Sequence, residues 1–250
     1  MNTDKKKIID LFNKNVRGKS SDTNAANVKH AGKEGHWLET QMGIARNASN
    51  TPDLFGYEMK NHTSQKTTFG DWSASCYIWH DKTFEIQRDD FLRIFGKPNL
   101  KKGGRYSWSG EPIPKIDQYN NFGQILLIDD EQNIVIEYSF SHDQRENKST
   151  LIPSSMQQEH LILARWNRDW MKAKVERKFN QKGWFKCLKN NEGVYSKIVF
   201  GEPMTYENWL EGVREGLIFF DSGMYQTNPR NYSQWRAYNA YWDNLVIESY

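Results

Sequence analysis

The chain has 250 residues, of which 37% are hydrophobic, 14% are aromatic and 26% are charged. This length supports one sizeable core, and the aromatic residues supply packing surface that a disordered chain lacks. The net charge of +3 is only weak evidence for a polyanionic partner. No stretch approaches about eighteen apolar residues, and Cys76 and Cys187 have no metal-ligand spacing. We therefore expect a cytoplasmic protein without a membrane span, disulfide or zinc site.

The first half of the chain alternates predicted helices and strands. Apolar residues on one side predict helices over residues 4–15 and 35–45. Residues 54–62 and 67–79 have the composition of strands. The basic and aromatic stretch 97–108 is rich in glycine and turn formers, which predicts a long loop.

The second half contains two predicted hairpins, over residues 125–140 and 184–200. Between them, a cap at Ser154 or Ser155 predicts one helix that runs to about Phe179. A shorter helix over 205–215, a strand over 217–220 and a polar loop over 221–234 follow. This order predicts an α+β fold, with a mixed central sheet flanked by helices, in a single domain over residues 1–250.

Positive charge is concentrated between Arg165 and Lys189, where nine Lys or Arg residues stand against two acids and are interleaved with aromatic residues. Such a surface can face the phosphates of a nucleic acid. The alternative is a solvated helix face whose aromatic residues point into the core. We take Arg165, Arg168, Lys172 and Lys174 as candidate contacts to a sugar-phosphate backbone.

The segment "TPDLFGYEMKNHT", residues 51–63, brings two acids and a lysine close together. Side chains alternate along a strand, so Glu58 and Lys60 emerge on one face, and a bend at Phe55-Gly56 lets Asp53 return to meet Glu58. Two converging carboxylates suit a magnesium ion that keeps some of its waters. A lysine beside that ion can orient or deprotonate an attacking water and neutralise transition-state charge, which predicts phosphodiester hydrolysis.

The alternative for this segment is an ordinary surface strand. Glu58 and Lys60 would then form an exposed pair worth about 0–1 kcal/mol. Short matches of this kind occur often by chance.

The spacing of this segment, together with Glu39 upstream, resembles the PD-(D/E)xK nucleases. Over residues 33–70 the chain is similar to the MvaI/BcnI-like restriction endonucleases and, more distantly, to the mismatch-repair nicking enzyme MutH. "GHWLETQM" resembles their glutamate-bearing helix, residues 51–63 their metal-binding hairpin, and "KTTF" the strand that follows. "RYSWSG" and "KFNQKGWFKC" resemble LlaMI-type enzymes, which cut within CCNGG sites.

The resemblance implies a restriction-endonuclease-like fold with a catalytic core around residues 33–80. It makes Asp53 and Glu58 the metal ligands, Lys60 the catalytic lysine, and Glu39 an outer carboxylate that helps to orient water at the metal. The expected activity is that of a magnesium-dependent type II restriction endonuclease, which cuts double-stranded DNA at a specific sequence as a monomer. Two alternatives stay open: a MutH-like nicking enzyme that a partner activates, and a DNA-binding protein that does not cut.

The segment "DSGMYQTNPRNYSQWRAYN" is similar in placement to the base-reading segment of those enzymes, which implies a recognition segment around residues 217–240. Arg can donate two hydrogen bonds to guanine, and Gln or Asn can pair with adenine. The alternative is a polar hairpin whose arginines contact phosphates or acidic neighbours. Lys66, which begins "KTTF", is a further candidate contact to DNA. The candidate base readers are Gln226, Asn228, Arg230, Gln234 and Arg236.

Overall fold

The computed structural model of the chain describes residues 3–23, 32–45 and 49–250. Within these ranges, no helix is both long enough and apolar enough to cross a membrane. The α-helices of the described residues are α1 (Thr3–Asn15), α2 (Lys33–Gln41), α3 (Arg88–Phe95), α4 (Lys148–Leu151), α5 (Arg168–Phe179), α6 (Tyr206–Arg214) and α7 (Asn239–Asn244). The strands are β1 (Glu58–Asn61), β2 (Lys66–Asp71), β3 (Cys76–Tyr77), β4 (Lys97–Asn99), β5 (Arg105–Trp108), β6 (Phe122–Ile128), β7 (Ile134–Asp143), β8 (Leu161–Trp166), β9 (Trp184–Lys189), β10 (Tyr195–Gly201), β11 (Ile218–Ser222), β12 (Met224–Tyr225), β13 (Ser233–Tyr238) and β14 (Val246–Ser249).

The chain folds into two compact units, and each is assembled from separate segments. The first unit comprises Met1–Thr67, Lys174–Tyr206 and Tyr238–Tyr250, and the second comprises Thr68–Ala173 and Glu207–Ala237. The single nuclease domain over residues 1–250 stays a prediction.

A mixed four-stranded sheet organises the first unit. Its strand order is β1-β9-β10-β14, in which β1 is parallel to β9 and the other neighbours are antiparallel. One face of this sheet packs on α1 and α2, because Phe12 and Leu38 share a buried cluster with Met59 and Phe185. The predicted α+β architecture with a mixed sheet is confirmed.

The remaining strands form three sheets, with the orders β3-β8-β7-β6, β11-β13-β2 and β12-β5-β4. Aromatic residues fill much of the core of the second unit. Trp235 packs edge-on against Trp166 and Trp209, with ring centroids 5.4 and 5.1 Å apart, and Trp166 contacts Phe220 in the same way at 4.9 Å. These contacts show how the abundant aromatic residues offset a modest hydrophobic fraction.

Several predicted elements differ from the structure. The helix expected from Ser154 to Phe179 is wrong over its first half, because a short 3-10 helix (Ser154–Met156) is followed by β8 at residues 161–166, and the α-helix α5 begins only at Arg168. Pairing with β7 buries Leu161 and Leu163 on this strand, which local helix signals cannot reveal. The loop expected over 97–108 is also wrong, because β4 and β5 pair as a hairpin. The strand expected over 67–79 ends at Asp71 and resumes only briefly as β3. The polar loop expected over 221–234 contains the short strand β12.

Candidate active site

A two-residue turn precedes β1 and sets the register of the candidate catalytic residues. Leu54 and Tyr57 exchange both backbone hydrogen bonds, at 3.0 and 2.9 Å. Phe55 and Gly56 between them have φ values of +51° and +85°. Positive φ at both central positions is typical of a tight hairpin turn, and glycine adopts it without strain. The predicted bend is therefore confirmed, and Asp53 lies across from Glu58.

Strand β1 presents two chemically different faces. Tyr57 and Met59 point into the apolar cluster beneath the sheet. Glu58 and Lys60 alternate with them and face the opposite side, where they are only 2% and 7% exposed. The pair is therefore buried, and the alternative of an exposed surface pair is wrong.

The carboxylate of Glu58 is the centre of a compact charged cluster. Its Oε1 accepts a hydrogen bond from Lys60 Nζ at 2.8 Å and forms an ion pair with Lys178 Nζ at 3.0 Å. Its Oε2 is buried and has no hydrogen-bond partner among the described residues. Asp53 Oδ2 accepts from the Met59 backbone N–H at 2.9 Å. A buried carboxylate oxygen without a partner is unusual, and a bound ion or water is one ordinary explanation.

Burial shifts the pKa values of two groups in this cluster. Burial, reinforced by the charge of Glu58, raises the pKa of Asp53 to about 6, although Lys60, the Met59 N–H and Lys178 oppose the shift. Burial also lowers the pKa of Lys60, and the nearby Lys178 acts in the same direction while Glu58 opposes it. The aromatic ring of Phe179 lies 5.0 Å from Lys60 Nζ and contributes to this apolar surrounding. The ionised form of Asp53 is thus unfavourable without further positive charge.

Glu39 lies on α2, whose Leu38 packs in the cluster on the Met59 side of the sheet. Its Oε2 is 3.0 Å from His36 Nδ1 on the same helix. In the part of the chain that the structure describes, no group of three or more His, Cys, Asp or Glu side chains is arranged to hold a metal ion. The structure brings Asp53 and Glu58 together, and an outer role for Glu39 stays a prediction.

The four candidate backbone contacts lie on two elements. Arg165 is on β8, whereas Arg168, Lys172 and Lys174 are on α5. Arg165, Arg168 and Lys172 pair with acidic neighbours, which is compatible with either a phosphate-facing surface or a solvated one. These pairs are Arg165–Asp129 at 3.2 Å, Arg168–Asp169 at 3.5 Å and Lys172–Glu207 at 3.3 Å.

The candidate base readers fall into two groups. Gln226 and Asn228 hold backbone groups: Gln226 Oε1 accepts from Tyr106 N of β5 at 2.8 Å, and Asn228 Oδ1 accepts from Arg230 N in its own turn at 3.0 Å. Arg230 has the most open side chain, 61% exposed, with one nitrogen 2.6 Å from Asp71.

The other two readers lie on β13. Gln234 and Arg236 alternate with buried residues on this strand and hydrogen-bond to each other, so both lie on its less buried face. Arg236 also pairs with Asp221 at 3.4 Å. Lys66 is half-buried at the start of β2.

Lys178 is the residue of this site that the sequence did not reveal. It belongs to the last turn of α5 and lies in the basic stretch 165–189, which suggested phosphate contacts only. No spacing rule connects it with Glu58, because the two meet through the fold. The basic stretch was the available signal, but it does not single out Lys178.

Comparison with known proteins gives consistent matches over almost the whole chain. The sequence profile of the LlaMI restriction endonuclease family matches residues 16–250. Type II restriction enzyme ScrFI of Lactococcus lactis subsp. cremoris is 47% identical over 268 residues, which cover 99% of each chain. The solved complex of restriction endonuclease MvaI with its cognate DNA substrate has a similar fold, with a TM-score of 0.63 and 13% identity, over 98% of this chain and 95% of that one. The expected restriction-endonuclease-like fold is therefore confirmed.

Proposed function

Since the chain belongs to the LlaMI restriction endonuclease family and is a type II restriction endonuclease, we propose that it cuts double-stranded DNA with Mg²⁺ held by Asp53 and Glu58 and with Lys60 as its catalytic lysine. One observation carries this proposal: a tight turn and a single strand bring Asp53 to the buried side chains of Glu58 and Lys60. The presence of DNA in the MvaI complex supports a DNA substrate for this chain.

The donor set fits Mg²⁺. This ion prefers oxygen ligands and is commonly held by one or two carboxylates, with waters and substrate phosphates completing its shell. Asp53 and Glu58 supply two carboxylates, and the buried Oε2 of Glu58 lacks another partner among the described residues. When bound, Mg²⁺ would polarise a phosphoryl oxygen and lower the pKa of a coordinated water.

Lys60 supplies fixed positive charge at the same place. Its Nζ is held 2.8 Å from Glu58 Oε1, and the Phe179 ring covers it from one side. In such a surrounding of low polarity, a preorganised cation stabilises charge that develops on a phosphoryl group more strongly than it does in water. Lys60 therefore orients the phosphate and stabilises its transition state.

Cleavage assays on plasmid DNA with Mg²⁺ test the proposal. Discrete linear fragments are expected, whereas nicks that require a partner would support the MutH-like alternative, and intact plasmid would support a protein that does not cut. Asp53→Ala and Lys60→Ala should each lower the cleavage rate about a thousandfold or more, because each removes a group needed in the transition state. Binding of DNA should change little.

The exposed ion pair Lys6–Asp10 on α1 offers matched controls, with its two charged groups 2.7 Å apart. Lys6→Ala and Asp10→Ala remove the same charges at a surface site and should cut at the wild-type rate. Wild-type cleavage by either active-site variant would contradict the assignment.

We also propose how DNA is held. Arg165, Arg168, Lys172 and Lys174 contact the sugar-phosphate backbone, since basic side chains neutralise phosphates without reading sequence. Residues 217–240 read bases, because Arg, Gln and Asn form base-specific hydrogen bonds in the major groove. The exposure of Arg230 supports this role for the segment. Monomeric action, a cytoplasmic location and a role for Lys66 stay predictions of the sequence.

A further inference from the structure

Two lysines share one oxygen of the candidate metal ligand Glu58. Lys60 reaches Oε1 from β1 at 2.8 Å, and Lys178 reaches the same atom from α5 at 3.0 Å. The site thus contains two carboxylates, Asp53 and Glu58, and two ammonium groups. Ion pairs at these distances attract strongly where water is scarce. Both ammonium groups already lie beside Glu58 before any metal ion binds.

A divalent cation on Asp53 and Glu58 would disturb this balance. It would bring two positive charges close to two ammonium groups, and like charges repel strongly at short distance in a buried site. One ammonium group must therefore move away from Glu58 for the cation to bind well.

The two lysines differ in their freedom to move. The side chain of Lys60 is 9% exposed, and its strand is fixed by pairing with β9. The side chain of Lys178 is 17% exposed, and the preceding residue on α5, Arg177, is exposed. A long lysine side chain can swing its ammonium group by several ångströms through rotamer changes alone. Lys178 is the group that can leave.

We propose that Lys178 is the internal counter-ion of Asp53 and Glu58. In the metal-free enzyme its ammonium group occupies the cation's place beside Glu58, and this group transfers to a DNA phosphate when the metal ion binds. This inference rests on the proposed metal site at Asp53 and Glu58. The transfer of Lys178 makes the binding of metal and of DNA cooperative, because the phosphate accepts the ammonium group that the metal ion displaces. In the absence of DNA, Lys178 competes with the metal ion.

Calorimetric titration of Mn²⁺ into the DNA-free protein near neutral pH tests this inference without any cleavage. Lys178→Met keeps the apolar stem but removes the charge, so it should bind Mn²⁺ about tenfold more tightly than the wild type. Lys178→Gln should show the same increase in affinity for Mn²⁺, and it replaces Lys178→Met in the experiment if the methionine variant fails to fold. Lys178→Arg keeps the charge and should retain the wild-type affinity.

Lys182→Met is the matched control. Lys182 pairs with Asp4 at 2.5 Å and lies four positions from Lys178 in the sequence. Its replacement by Met changes the net charge by the same amount as Lys178→Met. It should leave the affinity for Mn²⁺ within about twofold of the wild type. Cleavage of plasmid with saturating Mg²⁺ gives the second readout: Lys178→Met should cut about tenfold more slowly or worse, in spite of its tighter binding of metal.

Unchanged or weaker Mn²⁺ binding in both Lys178→Met and Lys178→Gln would overturn the inference, since a purely structural lysine does not compete with the metal ion. Failure of the proposed function looks different. In that case either the wild type would not bind Mn²⁺, or Asp53→Ala would bind it as tightly as the wild type does. The inference would then be wrong as well.

Discussion

Replacement of Asp53 by Asn should stabilise the metal-free protein, and the gain should grow with pH. Burial raises the pKa of Asp53 to about 6, against an ordinary value of 3.8. The folded state therefore keeps a proton that the unfolded state releases, so stability from this group is present at low pH and is lost as pH rises through about 6. The shift of about two pKa units corresponds to roughly 3 kcal/mol near pH 8. Asn stays neutral, and its amide oxygen can still accept the Met59 N–H.

Urea denaturation in EDTA at about pH 5 and about pH 8 measures this effect. The stability advantage of Asp53→Asn should increase by about 1.4 kcal/mol between the two conditions. Asp81→Asn is the control, because hydrogen bonds from Thr83 lower the pKa of Asp81, which places its titration below this window. An advantage of Asp53→Asn that is equal at both pH values, or larger at the lower one, would refute the argument.

Two further predictions concern DNA binding. Arg230→Ala should weaken binding to the cognate site by about 1–3 kcal/mol and affect random DNA far less, as measured by competition binding; equal losses would indicate a phosphate contact. Joint replacement of Arg165, Arg168, Lys172 and Lys174 by Ala should weaken binding to all sequences alike and flatten its salt dependence, whereas an unchanged salt slope would mark a solvated surface.

The geometry of the candidate catalytic hairpin could be predicted from sequence because its rules are local. Alternation along a strand fixes the common face of Glu58 and Lys60, and Gly56 tolerates the positive φ that a two-residue turn requires. These rules involve neighbours within a few positions. The relative placement of Asp53, Glu58 and Lys60 therefore follows from residues 53–60.

Two of the missed features depend on partners far away in sequence. Residues 161–166 form a strand because they pair with β7, and that contact overrides the capping signals near Ser154. Lys178 and Glu58 meet because residues 1–67 and 174–206 fold into the same unit. The β4–β5 hairpin was missed for a local reason: Gly103 and Gly104, both with positive φ, form part of its connection and make the segment resemble a loop.

The discontinuous first unit has a consequence for biosynthesis. Strand β1 depends on β9 from a second segment and, through β10, on β14 from the third, Tyr238–Tyr250. Trp242 of that third segment packs edge-on against Trp184 of β9, with ring centroids 5.1 Å apart. A ribosome thus synthesises Asp53, Glu58 and Lys60 long before the chain that buries them, and such distant contacts form late in folding. A nascent chain that carries only those three residues lacks β9 and β14, so it cannot complete the sheet to which β1 belongs.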